Sequence, residues 1–475
     1  MKKFLFFAAA AIAMLASCSQ NDDISAPVVA ENNDATPVQF GTYVGKGATS
    51  RATNGYVGDI TDTQLKLAEA SNGGFGVFAY YTKATDYVWG NPGVKPNFMY
   101  NQGIFWNSTT NKWEYTPVKY WPNGLDDLQP ADGGDDDQFA TAGGKVSFFA
   151  YAPYVSTPTG DQSSNDGIVG MTANTVTNSD TKISYKLNPS NFVDLLWGTA
   201  NGSGNSLGGT TQAGATAPTV GKGAVNVNLT KQQIDGTVKF LFKHALAKVG
   251  GLGSASPALN GLQIALDIDD ATHASSAAKD ATTIVTVKSI RISTDTDADG
   301  TAENTVKSTG DLNLATGVWD NLGNNTSIDQ SITTAGSNPA KKLNSAIAEP
   351  ATVSDWASLP TGVTVAKQEV YDAEATNTAL LYIPGDTPSL RFTIDYIVRT
   401  QDNHLDGGWS EVEQTVSKLV TFANPVEMNK LYNIVIYLGL TSVKFEATVA
   451  DWSNDIDDND ATDDTVVVDL PLNVD

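Results

Sequence analysis

The run Leu431-Tyr432-Asn433-Ile434-Val435-Ile436-Tyr437-Leu438 decides the fold class of this chain. β-Branched and aromatic residues fill most of it, and such residues are typical of strands because they pack well on a pleated surface. Similar runs recur at 75–81, 146–151, 283–293 and 390–399, separated by clusters of Asn, Asp, Gly and Pro. Short β-rich runs between polar turn clusters predict an all-β sandwich fold.

The remaining pattern divides the chain into two halves. Further strands are predicted at 112–115, 194–198, 236–249, 261–268, 379–383, 415–422 and 443–452. A capping box that begins at Thr61 predicts a short helix, which ends near Asn72. The segment 199–223 is rich in Gly, Ser, Thr and Ala, so it is either an interdomain linker or a very long hairpin loop, and we expect a domain boundary near residue 225.

Composition limits the partners of the chain. The formal net charge is −24, from 29 basic and 53 acidic side chains, so the chain should repel nucleic acid and anionic lipid. Its length of 475 residues is enough for two or three domains. Because Cys18 is the only cysteine, an intrachain disulfide is impossible.

The N-terminus predicts export. A basic start at residues 1–3 and an apolar stretch at 4–15 precede Leu15-Ala16-Ser17-Cys18, so residues 1–17 form a signal peptide. A signal that ends in Leu-Ala-Ser-Cys resembles a bacterial lipoprotein lipobox, which implies cleavage before Cys18 and acylation of that residue. Acyl chains on Cys18 would anchor the chain to a membrane without a transmembrane helix. The alternative is an ordinary secretory signal with an incidental cysteine.

A self-contained strand follows the signal and a polar tether. Residues 37–44 alternate so that Val38, Phe40, Thr42 and Val44 share one face. The loop 45–55 comes next, and it contains Arg51 among small residues. An arginine in such a loop is a candidate site for proteolysis.

The C-terminus ends in a second isolated strand. Six aspartates occur in residues 455–464 and predict a solvated linker. The final segment then alternates strictly, with an apolar face formed by Val466, Val468, Leu470, Leu472 and Val474. Five apolar side chains at a terminus need a groove to bury them. Pro471 cannot donate a backbone hydrogen bond, so this strand should lie at a sheet edge or leave one bond unmade.

Several strings, in order along the chain, resemble the fimbrillin family, the type V pilins of Gram-negative gut and oral bacteria. They are the lipobox, the strand 38–44 with Arg51 behind it, and the strings at 74–80, 119–122, 148–154, 242–249 and 449–452. The resemblance implies two tandem transthyretin-like β-sandwich domains, at 52–225 and 226–454. It also implies a lipidated propeptide at 18–51, a linker and donor strand at 455–475, no cofactor and no catalysis.

The resemblance further implies assembly by strand exchange. The precursor would reach the cell surface as an outer-membrane lipoprotein, held by lipid on Cys18. An arginine-specific surface protease would cut between Arg51 and Ala52, which removes the strand 38–44 and opens a groove. The C-terminal strand of another pilin subunit would fill that groove, so that the mature chain forms part of an extracellular fimbria, with a stalk position favoured and an anchor position left open.

Motifs for metal binding and catalysis are weak. The stretch Asp295-Thr296-Asp297-Ala298-Asp299-Gly300 matches the first half of a calcium loop, but Val306 stands where a bidentate Glu is required, so a polar hairpin turn is favoured. His244, His273 and His404 lack metal-ligand spacing, and His244 is expected to be a hydrogen-bonded structural residue. We therefore predict no metal site.

Two other functions stay open. The nine Trp and sixteen Tyr could form a sugar-binding platform on a lipoprotein that remains anchored by Cys18, although most lie within strand patterns. A surface hydrolase is a weaker alternative, because no serine-nucleophile motif, phosphate loop or distinctive carboxylate pair is present. A glycan-binding protein would need neither a cut at Arg51 nor a spare terminal strand.

Overall fold

A computed structural model describes residues 36–44, 56–57, 60, 62–122, 144–156, 166–189, 193–200, 225–230, 237–249, 262–266, 283–333, 368–369, 380–402, 404–406, 408–438, 443–451, 468–470 and 472–474. The regular secondary structure of these residues consists almost entirely of strands, which confirms the all-β prediction. Within the described ranges, no helix is long and apolar enough to cross a membrane. Cys18, Arg51, Ala52 and Val466 lie outside the described residues.

Among the described residues, thirteen strands lie before residue 250. They are β1 (Gln39–Val44), β2 (Tyr56–Val57), β3 (Phe75–Lys83), β4 (Met99–Asn107), β5 (Lys112–Glu114), β6 (Lys145–Ala152), β7 (Gly167–Met171), β8 (Lys182–Lys186), β9 (Val193–Asp194), β10 (Leu196–Ala200), β11 (Asn226–Leu229), β12 (Thr237–His244) and β13 (Ala247–Val249). The expected short helix is present as α1 (Asp62–Leu65), followed by a 3₁₀ turn at Glu69–Ser71. Asn72 ends this turn in the left-handed region, with a φ of 56°.

Thirteen more described strands lie after residue 250. They are β14 (Leu262–Leu266), β15 (Thr283–Ser293), β16 (Val306–Asn313), β17 (Trp319–Thr326), β18 (Asp329–Thr333), β19 (Gln368–Glu369), β20 (Leu380–Tyr382), β21 (Ser389–Gln401), β22 (Trp409–Phe422), β23 (Lys430–Leu438), β24 (Val443–Asp451), β25 (Val468–Leu470) and β26 (Leu472–Val474).

The first sheet has the strand order β1-β12-β10-β6-β3-β4-β5, with β11 paired to β6. Successive side chains of a strand point to opposite faces, and here both faces are buried. Phe75 and Val77 belong to a core on one face, whereas Phe78 and Tyr80 belong to a larger core on the other. This explains why β3 is an apolar run rather than an alternating one.

The other large sheets come mainly from the second half. One has the order β19-β14-β23-β13-β20 with β24 and β25 at one side, and another has the order β18-β15-β21-β22-β26. A four-stranded sheet, β17-β16-β8-β7, combines strands from both halves. The first sheet likewise contains β11 and β12, which follow the boundary expected near residue 225, so its strands continue to His244.

Candidate assembly groove

The N-terminal strand β1 lies in a groove at the edge of the first sheet. On one side it pairs with β12 in parallel, with a continuous register from Gln39 opposite Thr237 to Val44 opposite Phe242. On the other side, Val38 donates its N–H to the carbonyl of Lys119 at 2.9 Å. The strand is thus held by the backbone on both flanks at its start.

The inward side chains of β1 and of Val38, the residue before it, are buried in aromatic surroundings. Val38 is 1% exposed and Phe40 is 5% exposed. The ring of Phe40 lies within 6.2 Å, centroid to centroid, of four other rings, which are Phe75, Tyr115, Phe148 and Phe240. Offset and edge contacts at such distances stabilise aromatic pairs beyond the area that they bury.

Tyr115 closes the groove over β1. Its hydroxyl donates to the carbonyl of Val38 at 2.9 Å and accepts the N–H of Lys119 at 3.2 Å. Burial raises the pKa of Tyr115 to about 12, so the phenol stays protonated and keeps its donor at neutral pH.

The groove floor is apolar beneath β1. Phe240, Phe242, Phe148 and Trp121 are each at most 2% exposed, and they share one core with Val38 and Phe40. Loss of β1 would expose part of this floor and would leave backbone groups of β12 unpaired, which is the surface that an added strand covers.

The segment that follows the expected cleavage site is held by a buried carboxylate. Asp194, 1% exposed, accepts the N–H of Ile60 at 3.0 Å, and β2 pairs with β9 just before it. The same carboxylate lies 2.8 Å from Nδ1 of His244, the last residue of β12. His244 is 4% exposed, so its expected structural role is confirmed. Asp194 therefore links Ile60, in the segment after the expected cleavage site, to His244 at the end of β12.

The C-terminal segment lies away from this groove. β25 pairs antiparallel with β24, where Val468 is opposite Val449, and β26 pairs antiparallel with β22, where Leu472 is opposite Phe422. Sequence alternation predicted one continuous strand over 466–474, but the structure has two short strands on two different sheets. Pro471, which separates the two strands in the sequence, lies outside the described residues; a proline cannot donate a backbone hydrogen bond to a sheet edge.

Of the residues expected in the first strand, Val38 and Phe40 face the core. Thr42 is half-buried, and its hydroxyl has no hydrogen-bond partner among the described residues. Val44 is placed by its backbone pairing alone. Sequence reasoning missed Tyr115 and Asp194, because their contacts to β1 and His244 span long stretches of chain.

The acidic stretch near residue 295 forms a turn in which carboxylates accept hydrogen bonds from backbone N–H groups of the turn itself. Carboxylate oxygens of Asp295, Asp297, Asp299 and Glu303 lie within 4.8 Å of one another. Asp295 accepts the N–H groups of Ala298 and Gly300 at 2.7 and 3.0 Å, and Glu303 accepts the N–H of Thr296 at 2.7 Å. These bonds confirm a polar turn, but the expected hairpin is wrong, because the turn connects β15 to β16 and these strands lie in different sheets.

A cleft of about 400 Å³ lies beside the groove. The side chains of Phe105, Tyr154 and Tyr115 line it together with those of Glu69 and Glu114. The rings of Phe105 and Tyr154 meet edge to face at 5.2 Å. Burial, with a smaller contribution from Glu69, raises the pKa of Tyr154. Aromatic faces beside carboxylates can contact a sugar ring and its hydroxyl groups.

Comparisons with known proteins found similarity to proteins described as fimbrial. No family model matches the chain. The chain is 33% identical to fimbrium subunit Fim1C of Phocaeicola vulgatus over 144 residues, which cover 30% of this chain and 29% of the relative. The match thus spans less than a third of the relative's length. The fold is similar to the crystal structure of a fimbrial protein from Bacteroides vulgatus ATCC 8482, with a TM-score of 0.52 and 18% identity over 88% of this chain and 100% of that one.

Proposed function

We propose that this chain, which its sequence match and fold support as a fimbrillin-family protein, is a structural subunit of a surface fimbria. Export would proceed as an outer-membrane lipoprotein acylated at Cys18. An arginine-specific protease would then cut after Arg51, and the lipid would leave together with β1. The mature subunit would join other subunits by strand exchange and support adhesion and colonisation.

The observation that carries this proposal is the position of β1. A strand near the N-terminus, with a small-residue loop and Arg51 directly behind it, fills an edge groove whose floor is aromatic. The strand and the residue before it contribute two deeply buried side chains, Phe40 and Val38, at the edge of the sheet. Removal of an edge strand leaves the interior strand order of the sheet unchanged, so the rest of the domain can remain folded while the groove waits for a partner.

The experiment that tests this proposal is N-terminal sequencing of subunits taken from surface filaments. We expect those subunits to begin at Ala52, and we expect Arg51→Ala to accumulate lipidated, unpolymerised precursor. The matched control is Lys46→Ala, which removes the other basic residue of the same loop and should leave maturation unchanged. Filaments whose subunits still begin at Cys18 would contradict the cut and would favour an anchor role.

A second candidate function is surface glycan binding, and the cleft beside the groove favours it. The cleft is lined by the rings of Phe105 and Tyr154 and by the exposed Glu69, and this combination suits a sugar ligand. The test is glycan-array binding by the uncut chain, which retains its lipid and β1. Binding that disappears in Phe105→Ala would support this function over the fimbrial one.

A further inference from the structure

The backbone of β1 alternates between two directions. Val38 donates to Lys119 at 2.9 Å, and Thr36 accepts the N–H of Trp121 at 2.9 Å, so residues 36 and 38 turn their polar groups away from β12. The ladder with β12 has no register shift. Alternation then directs the backbone groups of Gln39, Gly41 and Tyr43 toward β12.

Side-chain direction is coupled to this alternation. Val38 and Phe40 point into the core, and they belong to the set whose N–H groups point away from β12. The outward residues of β1 therefore carry the hydrogen bonds to β12. Since the chirality of L-residues fixes this relation, any strand that runs in the direction of β1 with its apolar face inward must bond to β12 through its outward residues.

The terminal strand conflicts with that requirement. Its inward residues are Val466, Val468, Leu470, Leu472 and Val474, so Pro471 is outward. In the direction of β1, Pro471 would occupy a position that must donate to a carbonyl of β12, and proline has no N–H. The conflict disappears in that direction only when Pro471 lies beyond one end of the ladder, either in the place of Pro37 or after the position of Val44. The first register leaves only Leu472 and Val474 to be buried, and the second leaves only Val466, Val468 and Leu470, so neither buries all five apolar residues.

The opposite direction removes the conflict. Reversal of a strand with the same face inward exchanges its two edges, so the five apolar residues turn their N–H groups toward β12. The nitrogen of Pro471 then faces away from β12. We propose that the terminal strand of a second copy of this chain enters the groove antiparallel to β12, opposite in direction to β1. This inference rests on the proposed strand exchange.

The two directions also differ in where the neighbouring subunit lies. In the antiparallel arrangement, the neighbour's linker enters at the Phe242 end of β12, near His244, and its carboxyl terminus lies near Trp121. The tail already pairs antiparallel with both strands that it contacts within its own chain, β24 and β22.

Disulfide cross-linking distinguishes the two directions, because a disulfide requires Cα atoms about 4.4–6.8 Å apart. The test uses the full chain with Cys18→Ser, cut by an arginine-specific protease and allowed to polymerise. Each variant carries one cysteine in β12, Thr237→Cys or Lys243→Cys, and one in the tail, Asn473→Cys or Val467→Cys. Covalent ladders on a non-reducing gel are expected for Thr237→Cys with Asn473→Cys, and for Lys243→Cys with Val467→Cys.

The outcomes test the direction of the donated strand separately from strand donation. Ladders only in the two exchanged pairings, Thr237→Cys with Val467→Cys and Lys243→Cys with Asn473→Cys, would overturn the antiparallel direction and leave strand donation standing. Filaments without ladders in any pairing would overturn both. As a second measurement, Pro471→Ala should leave filament stability in denaturant unchanged. A gain would indicate a new bond to β12 and would contradict the antiparallel direction.

Discussion

Phe40 contributes most to the binding of β1 in the groove. Its ring contacts Phe75, Phe148, Phe240 and Tyr115, and these rings come from four other parts of the first sheet and its cover. Val38 is also buried, but its side chain is smaller. A strand held mainly by one large side chain can stay in place in the precursor and still leave once its covalent connection is cut.

Truncation of that ring should loosen β1 selectively. We expect Phe40→Ala to lower the free energy of opening of β1 by about 3–5 kcal/mol, because a buried ring is lost and a cavity remains. Hydrogen exchange of the β1 amides measures this directly. The control is Gln39→Ala, at a neighbouring half-buried position outside the core, which should change little. Equal protection of β1 in both variants would show that Phe40 does not hold the strand.

The hydroxyl of Tyr115 adds a pH-dependent contribution. Its pKa is raised to about 12 from 10, so the folded state binds this proton more tightly than the unfolded state. The stabilisation is therefore complete below pH 10 and is lost as the pH rises toward 12. Tyr115→Phe removes the bond to Val38, at a cost of about 1 kcal/mol at pH 8, and should make the alkaline loss of stability shallower than in the wild type. Urea unfolding from pH 8 to 12 measures both, and identical pH profiles would contradict this role.

At the scale of elements, the tail has two places to lie. Within its own chain, β25 and β26 cover the edges of β24 and β22. In strand exchange, five apolar side chains worth about 1.5–3 kcal/mol each would be buried in a neighbour. Ordering about ten residues costs roughly 1–2 kcal/mol each, which nearly cancels that gain. The net driving force must therefore come from the open groove, whose floor and unpaired edge are costly to leave exposed.

The tail should consequently be dispensable for folding and necessary for polymerisation. Truncation after Asp464 is expected to leave a folded monomer, seen by circular dichroism and gel filtration, that forms no filaments in electron micrographs. Val468→Asp on the inward face should act nearly as strongly, because it would bury a carboxylate. The matched control is Asn473→Asp on the outward face, which should polymerise. Filaments from the truncated chain would refute donation by this segment.

The strands that sequence revealed and those that it missed differ in their surroundings. β3 and β6 are buried on both faces and consist mainly of apolar residues, so their composition alone identified them as strands. β17, for which the sequence analysis predicted no strand, contains Trp319-Asp320-Asn321-Leu322-Gly323-Asn324-Asn325-Thr326 and is mostly half-buried or exposed. Asp, Asn and Gly are depleted in strands, and pairing with β16 makes this segment a strand. In the groove, local alternation identified Val38 and Phe40, whereas Tyr115 and Asp194 depend on pairings that no local pattern encodes.

For the whole molecule, charge opposes association. The expected cut removes four basic residues and four acidic ones, namely Lys2, Lys3, Lys46 and Arg51 against Asp22, Asp23, Glu31 and Asp34. The formal charge of the mature chain therefore stays at −24. Subunits that must meet end to end repel each other at long range, and this repulsion slows encounter without affecting the groove contacts themselves.

Polymerisation of the cut chain should accordingly accelerate with salt. The Debye length falls from about 30 Å at 0.01 M to about 8 Å at 0.15 M ionic strength, so the long-range repulsion is largely screened at the higher value. We expect the rate, followed by light scattering, to rise over this range, with filament stability in denaturant nearly constant because the buried contacts are apolar. Neutralising the linker with Asp457→Asn and Asp458→Asn should weaken the salt response, since these carboxylates precede the strand that must approach the groove. A rate that falls with added salt would instead require attraction between opposite charges at the contact, and would show that net charge does not govern the encounter.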